Sequence, residues 1–222
     1  MDFAVIFDWD GVVIDSSAQH ERAWELLADE TGKPLPGGHF KRGFGKKNEA
    51  IIPDLGWASK PAEVHGLALR KEELYRELLR RDGVAPLPGV IDLLEALEAE
   101  SVPCAVGSST PRGNIEAIFE MTGLRRFFRA VVTGEDVVHG KPAPDVFLSG
   151  AERLGIEPRR CVVIEDALVG IAAAHAGGMK CVAVATTNPI GLLGVAELAV
   201  TSLREVTVET LRGVVSAGEA FS

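Results

Sequence analysis

The sequence predicts an α/β protein, a doubly wound parallel sheet with a small helical segment inserted after its first strand. Three observations predict this class. Residues 4–7, "AVIF", form a short unbroken apolar run, as expected of a parallel strand buried on both faces. From Gly89 onward, similar runs alternate with helical stretches, the rhythm of strand–helix crossovers. Between about residues 16 and 83 that rhythm stops, and nothing there reads as a strand.

The first strand ends in Asp8 and Asp10, either side of Trp9, and Gly11 then suits a turn. Ser16 and Gln19 have the spacing of a capping box for a helix running to about Glu30. "GKPLPGG" at 32–38 is a loop, followed by a short helix over 48–55, bent at Pro53, and a longer one over 61–81. "DGVAPLPG" at 82–89 returns the chain to the sheet, so two crossings, near 15–16 and 83–88, join the insertion and form a hinge. Further strands are expected at 102–107, 130–133, 161–164 and 180–185, with helices at 90–100, 112–122, 144–154, 167–176 and 208–215. Gly123, Gly155 and Gly177 stand where helix stops belong, and Thr110 before Pro111 makes a helix start.

The 222 residues can bury a sizeable core, and 46% hydrophobic with 25% charged residues is an ordinary globular composition. The net charge of −9 argues against nucleic acid or an acidic membrane surface as main partner, since both need basic patches. An anionic substrate would need cations supplied by the site. Cys104, Cys161 and Cys181 sit in or beside apolar runs without CxxC pairing, which suggests buried thiols in a reducing compartment. The start lacks the basic and apolar regions of a signal peptide, and no apolar run approaches ~18 residues. A cytoplasmic protein without a membrane span is expected, and a monomer.

In open α/β sheets ligands bind outside the carboxyl ends of the strands. There the sequence places Asp8 and Asp10 after the first strand, then Ser108 and Ser109, then Lys141 in "GEDVVHGKPAPD", then Glu165 and Asp166. Singly, these read as a turn, a helix start, a solvated lysine and acids favoured by a helix dipole. Jointly, all four bland readings would have to hold at the one sheet edge where ligands bind. Carboxylates gathered so closely repel unless a cation sits among them, and Mg²⁺ is the hard, oxygen-seeking choice. One aspartate can then be a nucleophile while both help to hold the metal.

"DWDGVVIDS", "GSST", "GKPAPD" and "VIEDALVGI", in this order, resemble the four signature motifs of the haloacid dehalogenase superfamily. The likeness spans essentially the whole chain. The insertion directly after the first motif resembles the helical-cap subgroup, and within it the chain is similar to small-metabolite phosphatases and β-phosphoglucomutase. The resemblance implies a Rossmann-like catalytic core over 1–15 and 84–222 and a cap over 16–83. It implies that Asp8 attacks phosphorus and forms an aspartyl-phosphate, while Asp10 serves as general acid and then general base. Ser108, with the backbone N–H of Ser109, would hold phosphoryl oxygens, and Lys141 would neutralise the transferring group. Mg²⁺ would sit on Asp8, the Asp10 carbonyl and Asp166, with Glu165 beside or on it. The presence of Asp10 disfavours dehalogenase and phosphonate-hydrolase chemistry, which lack this second aspartate. Ala167 departs from the serine that relatives often carry there.

In the cap, His20 shares a helical stripe with Trp24 and Leu27, so it is either a packed histidine or, by resemblance, a substrate-side one able to reach Asp10. Lys71 interrupts the stripe Val64, Leu67, Leu74, Leu78, either snorkelling or aiming a cation into the cleft. Arg70, Lys71 and Tyr75 match the relatives' "RKxxxY". Arg42, Gly43 and Lys46 are the expected cap-loop contacts to substrate, with Gly43 and Gly45 allowing close approach and Lys41 and Lys47 solvated. Arg112 and Asn114 either touch substrate or lie on an exposed helix surface, and the exposed surface is the expectation. The expected activity is Mg²⁺-dependent hydrolysis of small phosphorylated metabolites of the sugar phosphate class. The alternatives are a phosphomutase of the β-phosphoglucomutase type and an inactive binding protein of the same fold. Lys46 in place of an arginine, and Ser16 in place of a threonine, weigh against the mutase.

Overall fold

The structure, a computed structural model, describes residues 3–43 and 46–217, apart from the side chain of Lys41. Gly45, expected in a close-approach loop, lies outside the described residues. Six parallel strands form one sheet in the order β3-β2-β1-β4-β5-β6. They are β1 (Ala4–Phe7), β2 (Cys104–Gly107), β3 (Phe128–Val132), β4 (Cys161–Glu165), β5 (Lys180–Val184) and β6 (Leu198–Val200). The strand β6 was not read from the sequence because it is three residues long and mostly half-buried, too short for an apolar run to stand out.

β1 is the pivot of this topology, with β2 on one side and β4 on the other. The order reverses here, and the crevice of a doubly wound sheet opens at that point. Phe7 is in register with Val106 and with Ile164, so the residues just past each strand end emerge side by side. The pleat sends Val5 and Phe7 into one core cluster and Ala4 and Ile6 into the other, which makes β1 apolar at every position.

Sheet helices follow the expected alternation: α5 (Val90–Ala99), α6 (Arg112–Thr122), α7 (Asp145–Leu154), α8 (Leu168–Ala176) and α9 (Val208–Ser216). Gly123 and Gly155 close α6 and α7 in the left-handed conformation, but after α8 that role falls to Gly178 (φ 72°), not Gly177.

Between β1 and α5 lie α1 (Ser17–Thr31), α2 (His39–Gly43), α3 (Asn48–Asp54) and α4 (Pro61–Asp82), and no strand occurs among the described residues 17–82. Pro61 at the first turn of α4 suits its missing N–H. α1 and α4 pack together, and Trp24 meets Trp57 edge-on at 5.7 Å. The short helix α2 was not expected; it follows directly on the Pro/Gly-rich loop that was. The two crossings are tied together where Leu87 N–H donates to Val13 O at 2.9 Å and Ile14 bridges Pro86.

Two expected caps are not made. Ser16 forms no capping hydrogen bond with α1, and Thr110 does not cap α6. Both hydroxyls are turned to Asp10 instead and donate to its carboxyl oxygens.

Gly89 (φ 89°) leads into α5, and a Cβ there would lie 2.4 Å from the backbone nitrogen of Arg204. Gly89→Ala therefore combines left-handed strain with a clash against main chain. It should destabilise the fold by about 2 kcal/mol or more, read as a lowered midpoint in urea unfolding.

Candidate active site

A cleft of about 970 Å³ lies between the carboxyl ends of the strands and the inserted helices. Asp8 and Asp10 enter it from β1, Ser108 and Ser109 from β2, Lys141 from the loop after β3, and Glu165 and Asp166 from β4. From the helical segment come His20, Gly43, Lys46 and Lys71. Arg42 does not line this cleft. It is exposed, and its guanidinium donates to Gly37 O at 3.0 Å.

Lys141 organises the carboxylates. Its ammonium, nearly buried, lies 3.0 Å from Asp8 Oδ1 and 2.6 Å from Glu165 Oε1. Burial alone would lower its pKa, but the two carboxylates raise it above the ordinary lysine value. The other oxygen of Glu165 accepts the backbone N–H groups of Asp166 and Ala167, both at 2.7 Å. Gly170 makes room for this arrangement, since a Cβ there would lie 1.6 Å from Glu165 Oε1.

Asp166 faces the same space. Burial, then the charges of Glu165 and Asp8, raise its pKa well above the usual carboxylate range. Oxygens of Asp8, Glu165 and Asp166 all lie within 4.8 Å of one another. An all-oxygen anionic set at this spacing fits a hard divalent cation. Gly11 (φ 80°) permits the approach, because a Cβ there would sit 2.1 Å from Asp166 Oδ2.

Asp10 is held apart from that set. Ser16 Oγ donates to its Oδ1 at 2.6 Å, Thr110 Oγ1 donates to its Oδ2, and His20 Nε2 stands 3.8 Å from Oδ1. Burial raises its pKa, the two hydroxyls oppose that, and Asp8 adds to it, with a net rise. An acid placed so is suited to carrying a proton.

His20 and Lys71 meet at 2.6 Å, His20 stacks on Tyr75 at 3.8 Å, and Lys71 also donates to Glu72 at 2.9 Å. An ammonium has only protons to give, so His20 Nδ1 accepts and the proton sits on Nε2, toward Asp10. Burial and then Lys71 hold the His20 pKa down to about 3, which keeps the ring neutral. Lys71 therefore does not snorkel; it is 2% exposed.

Lys46 lines the cleft but pairs with Asp54 at 3.0 Å, while Lys47, expected in solvent, donates to Gly134 O at 2.9 Å across the cleft. Asn114, expected on an exposed surface, is fully buried, and Arg112 pairs with Asp136 at 2.6 Å. Thr110, Glu72 and Thr187 were missed. Thr187 Oγ1 donates to Asp166 Oδ2, and Asn188 Nδ2 donates to Asp166 O at 3.0 Å. Both follow β5, so the strand-end reading extended by one strand would have found them.

Divalent cation should relieve the repulsion among Asp8, Glu165 and Asp166 and so raise the melting temperature. At a hundredfold excess over Kd the stabilisation would be about 2.7 kcal/mol. Melts in chelator and in added cation check this, and Asp166→Ala should abolish most of the difference.

Comparisons with known proteins point the same way. A family profile of haloacid dehalogenase-like hydrolases matches residues 4–178. The chain is 39% identical over 211 residues to a chloroplastic 5-amino-6-(5-phospho-D-ribitylamino)uracil phosphatase of Arabidopsis thaliana, covering 93% of this chain and 56% of that protein's length. It is 37% identical over 190 residues to a fructose-1-phosphate phosphatase of Escherichia coli, covering 80% and 94% of the two chains. To a β-phosphoglucomutase of Mycobacterium bovis it is 37% identical over 210 residues, covering 81% and 79%. A crystal structure of a family IA, variant 3 hydrolase from Entamoeba histolytica superposes with a TM-score of 0.88 at 27% identity, covering 96% of this chain and 99% of that one. With 175 consecutive residues matched (4–178) and the four strand-end motifs sharing one cleft, the chain belongs to the haloacid dehalogenase-like hydrolase family.

Proposed function

We propose that the chain is a Mg²⁺-dependent phosphatase of small phosphorylated metabolites, of the sugar phosphate class, working through an aspartyl-phosphate on Asp8. The observation that carries this reading is the division of labour between two aspartates on one strand end. Asp8 lies against the Lys141 ammonium at 3.0 Å, and Asp10, partly buried and held by two hydroxyls, has a raised pKa. Two carboxyls in such different surroundings can serve one as nucleophile and the other as acid.

The residues that would hold Mg²⁺ are Asp8 and Asp166, with Glu165 beside them and the main-chain carbonyl of Asp10. When bound, the cation supplies positive charge to the phosphoryl oxygens. Asp8 attacks phosphorus as the bond to the leaving oxygen breaks, and Asp10 gives its proton to that oxygen. Water then attacks the aspartyl-phosphate, Asp10 takes the proton back, and phosphate leaves with Asp8 restored. Ser108 and Ser109 hold phosphoryl oxygens, while Lys141 offsets the charge that gathers on them. Arg42, outside the cleft, has no part in this scheme; Gly43 and Lys46 border the leaving group. Three buried free thiols accord with a reducing compartment such as the cytoplasm.

A phosphomutase of the β-phosphoglucomutase type is the second reading, favoured by the His20–Lys71 pair facing Asp10 and by the mutase relative. It needs a guanidinium gripping a second phosphate. The cap loop presents Lys46, already paired with Asp54, where that arginine is wanted.

The deciding experiment is phosphate release from a panel of sugar and metabolite phosphates, with Mg²⁺ and with chelator. Release should require the cation and exceed conversion of β-glucose 1-phosphate to glucose 6-phosphate even with bisphosphate primer. Faster glucose 6-phosphate formation would replace the phosphatase reading with the mutase.

Two variants test the assignments. Asp8→Asn should keep the fold by circular dichroism and lose turnover. Asp10→Asn should lose ~10²–10⁴-fold in kcat/KM on sugar phosphates. The sign of the pH dependence follows from the raised Asp10 pKa. The proton donor is present below that pKa, so kcat/KM falls as pH rises through it, and Asp10→Asn removes this alkaline limb.

A further inference from the structure

Asn114 is fully buried on α6, and both ends of its amide are gripped by α4. Its Nδ2 donates to Glu72 Oε2 at 2.5 Å, and its Oδ1 accepts from Arg76 Nη1 at 2.9 Å. Glu72 and Arg76 are four residues apart, so they share a face of α4. One planar amide offers a donor and an acceptor side by side, and so satisfies a carboxylate and a guanidinium together.

Glu72 has no oxygen left for a substrate. Its Oε1 accepts from Lys71 at 2.9 Å and from Asn48 at 2.6 Å, while its Oε2 takes Asn114. Burial would raise its pKa, but the Lys71 ammonium and the two amides hold it down to about 2, so it stays ionised. Lys71 in turn contacts His20 Nδ1, and His20 faces Asp10. A line of polar groups therefore runs from the sheet side, through α4, to His20, whose Nε2 stands 3.8 Å from the proton donor. Removing a member of such a buried set leaves its partners unpaired, which moves them.

We propose that Asn114 is a positioning residue for leaving-group protonation: by locking Glu72 and Arg76 it fixes α4 against α6 and sets Lys71 and His20 against Asp10. This rests on the phosphatase reading above.

The test uses two substrates that differ in their need for an acid. From fructose 1-phosphate the sugar leaves as an alkoxide that must be protonated, whereas from p-nitrophenyl phosphate a stable phenolate leaves. Asn114→Asp sets a second carboxylate against Glu72. Its kcat/KM should fall about tenfold or more with fructose 1-phosphate, yet about twofold or less with p-nitrophenyl phosphate. The double variant Asn114→Asp with Glu72→Gln reverses donor and acceptor across the contact and moves the negative charge to position 114. It should recover fructose 1-phosphate activity to within about threefold of wild type. Equal losses on both substrates, or a double variant no better than the single, would overturn the proposal. If Asn114→Asp does not fold, Arg76→Met removes one grip and must show the same leaving-group bias; a loss without bias overturns it equally. Wild-type protein inactive on both substrates would instead defeat the phosphatase reading. Amide hydrogen exchange in α4 then decides the latch itself: exchange should quicken in Asn114→Asp and return in the double variant, and unchanged rates would refute it.

Discussion

A buried ammonium between two carboxylates is the arrangement on which the site depends. Lys141 comes from the loop after β3, Asp8 from the end of β1 and Glu165 from the end of β4, so one side chain joins three separate strand ends. Taking these charges out of water is costly, and only their mutual pairing offsets it; removing one partner of such a set costs about 3–5 kcal/mol. The fold supplies what the pairing needs. β1 is flanked by β2 and β4 in register, Gly170 clears space for Glu165, and Gly11 clears space for Asp166. The glycines are absent side chains that let charges meet.

Asp10 shows how a second carboxylate, two residues away, is given a different character. It receives hydroxyls from Ser16 and Thr110 and faces a neutral imidazole, with no ammonium in direct contact among the described residues. A hydroxyl from each side of the cleft mouth therefore reaches this one group. The helical segment is thus part of the acid's surroundings as well as a cover, and its buried Lys71–Glu72 pair extends those surroundings toward α6.

The sheet was legible because its strands are short apolar runs with helices between them, and the strand-end rule then gathered the charged residues. What escaped was set by tertiary contacts. A capping hydroxyl and a ligand hydroxyl look alike in sequence, so Ser16 and Thr110 were read as caps. Asn114 was read as exposed because an asparagine in a first helical turn usually is; its burial depends on Glu72 and Arg76, distant in sequence. Glu72 could have been found. It adjoins Lys71 on the buried face of α4, and two opposite charges on an apolar stripe signal a buried pair. Lys47 and Arg42 exchanged fates because Arg42 lies in the five-residue helix α2 and Lys47 just before the seven-residue α3, elements too short for periodicity to say which side chain turns inward.

The tie between the two crossings, Leu87 to Val13 and Ile14 beside Pro86, bears on how the chain folds. β1 must find β2 and β4, partners that lie far along the sequence, and closing such long loops slows the formation of non-local sheets. α1 and α4 can pair as neighbours of each other, and once they do, residues 13 and 87 are brought together. That contact short-circuits the excursion. β1 is then delivered next to α5 as though the intervening chain were a brief turn, and the search for β2 starts from a much shorter effective loop. An insertion that lengthens the chain thereby need not lengthen the search for its sheet partners.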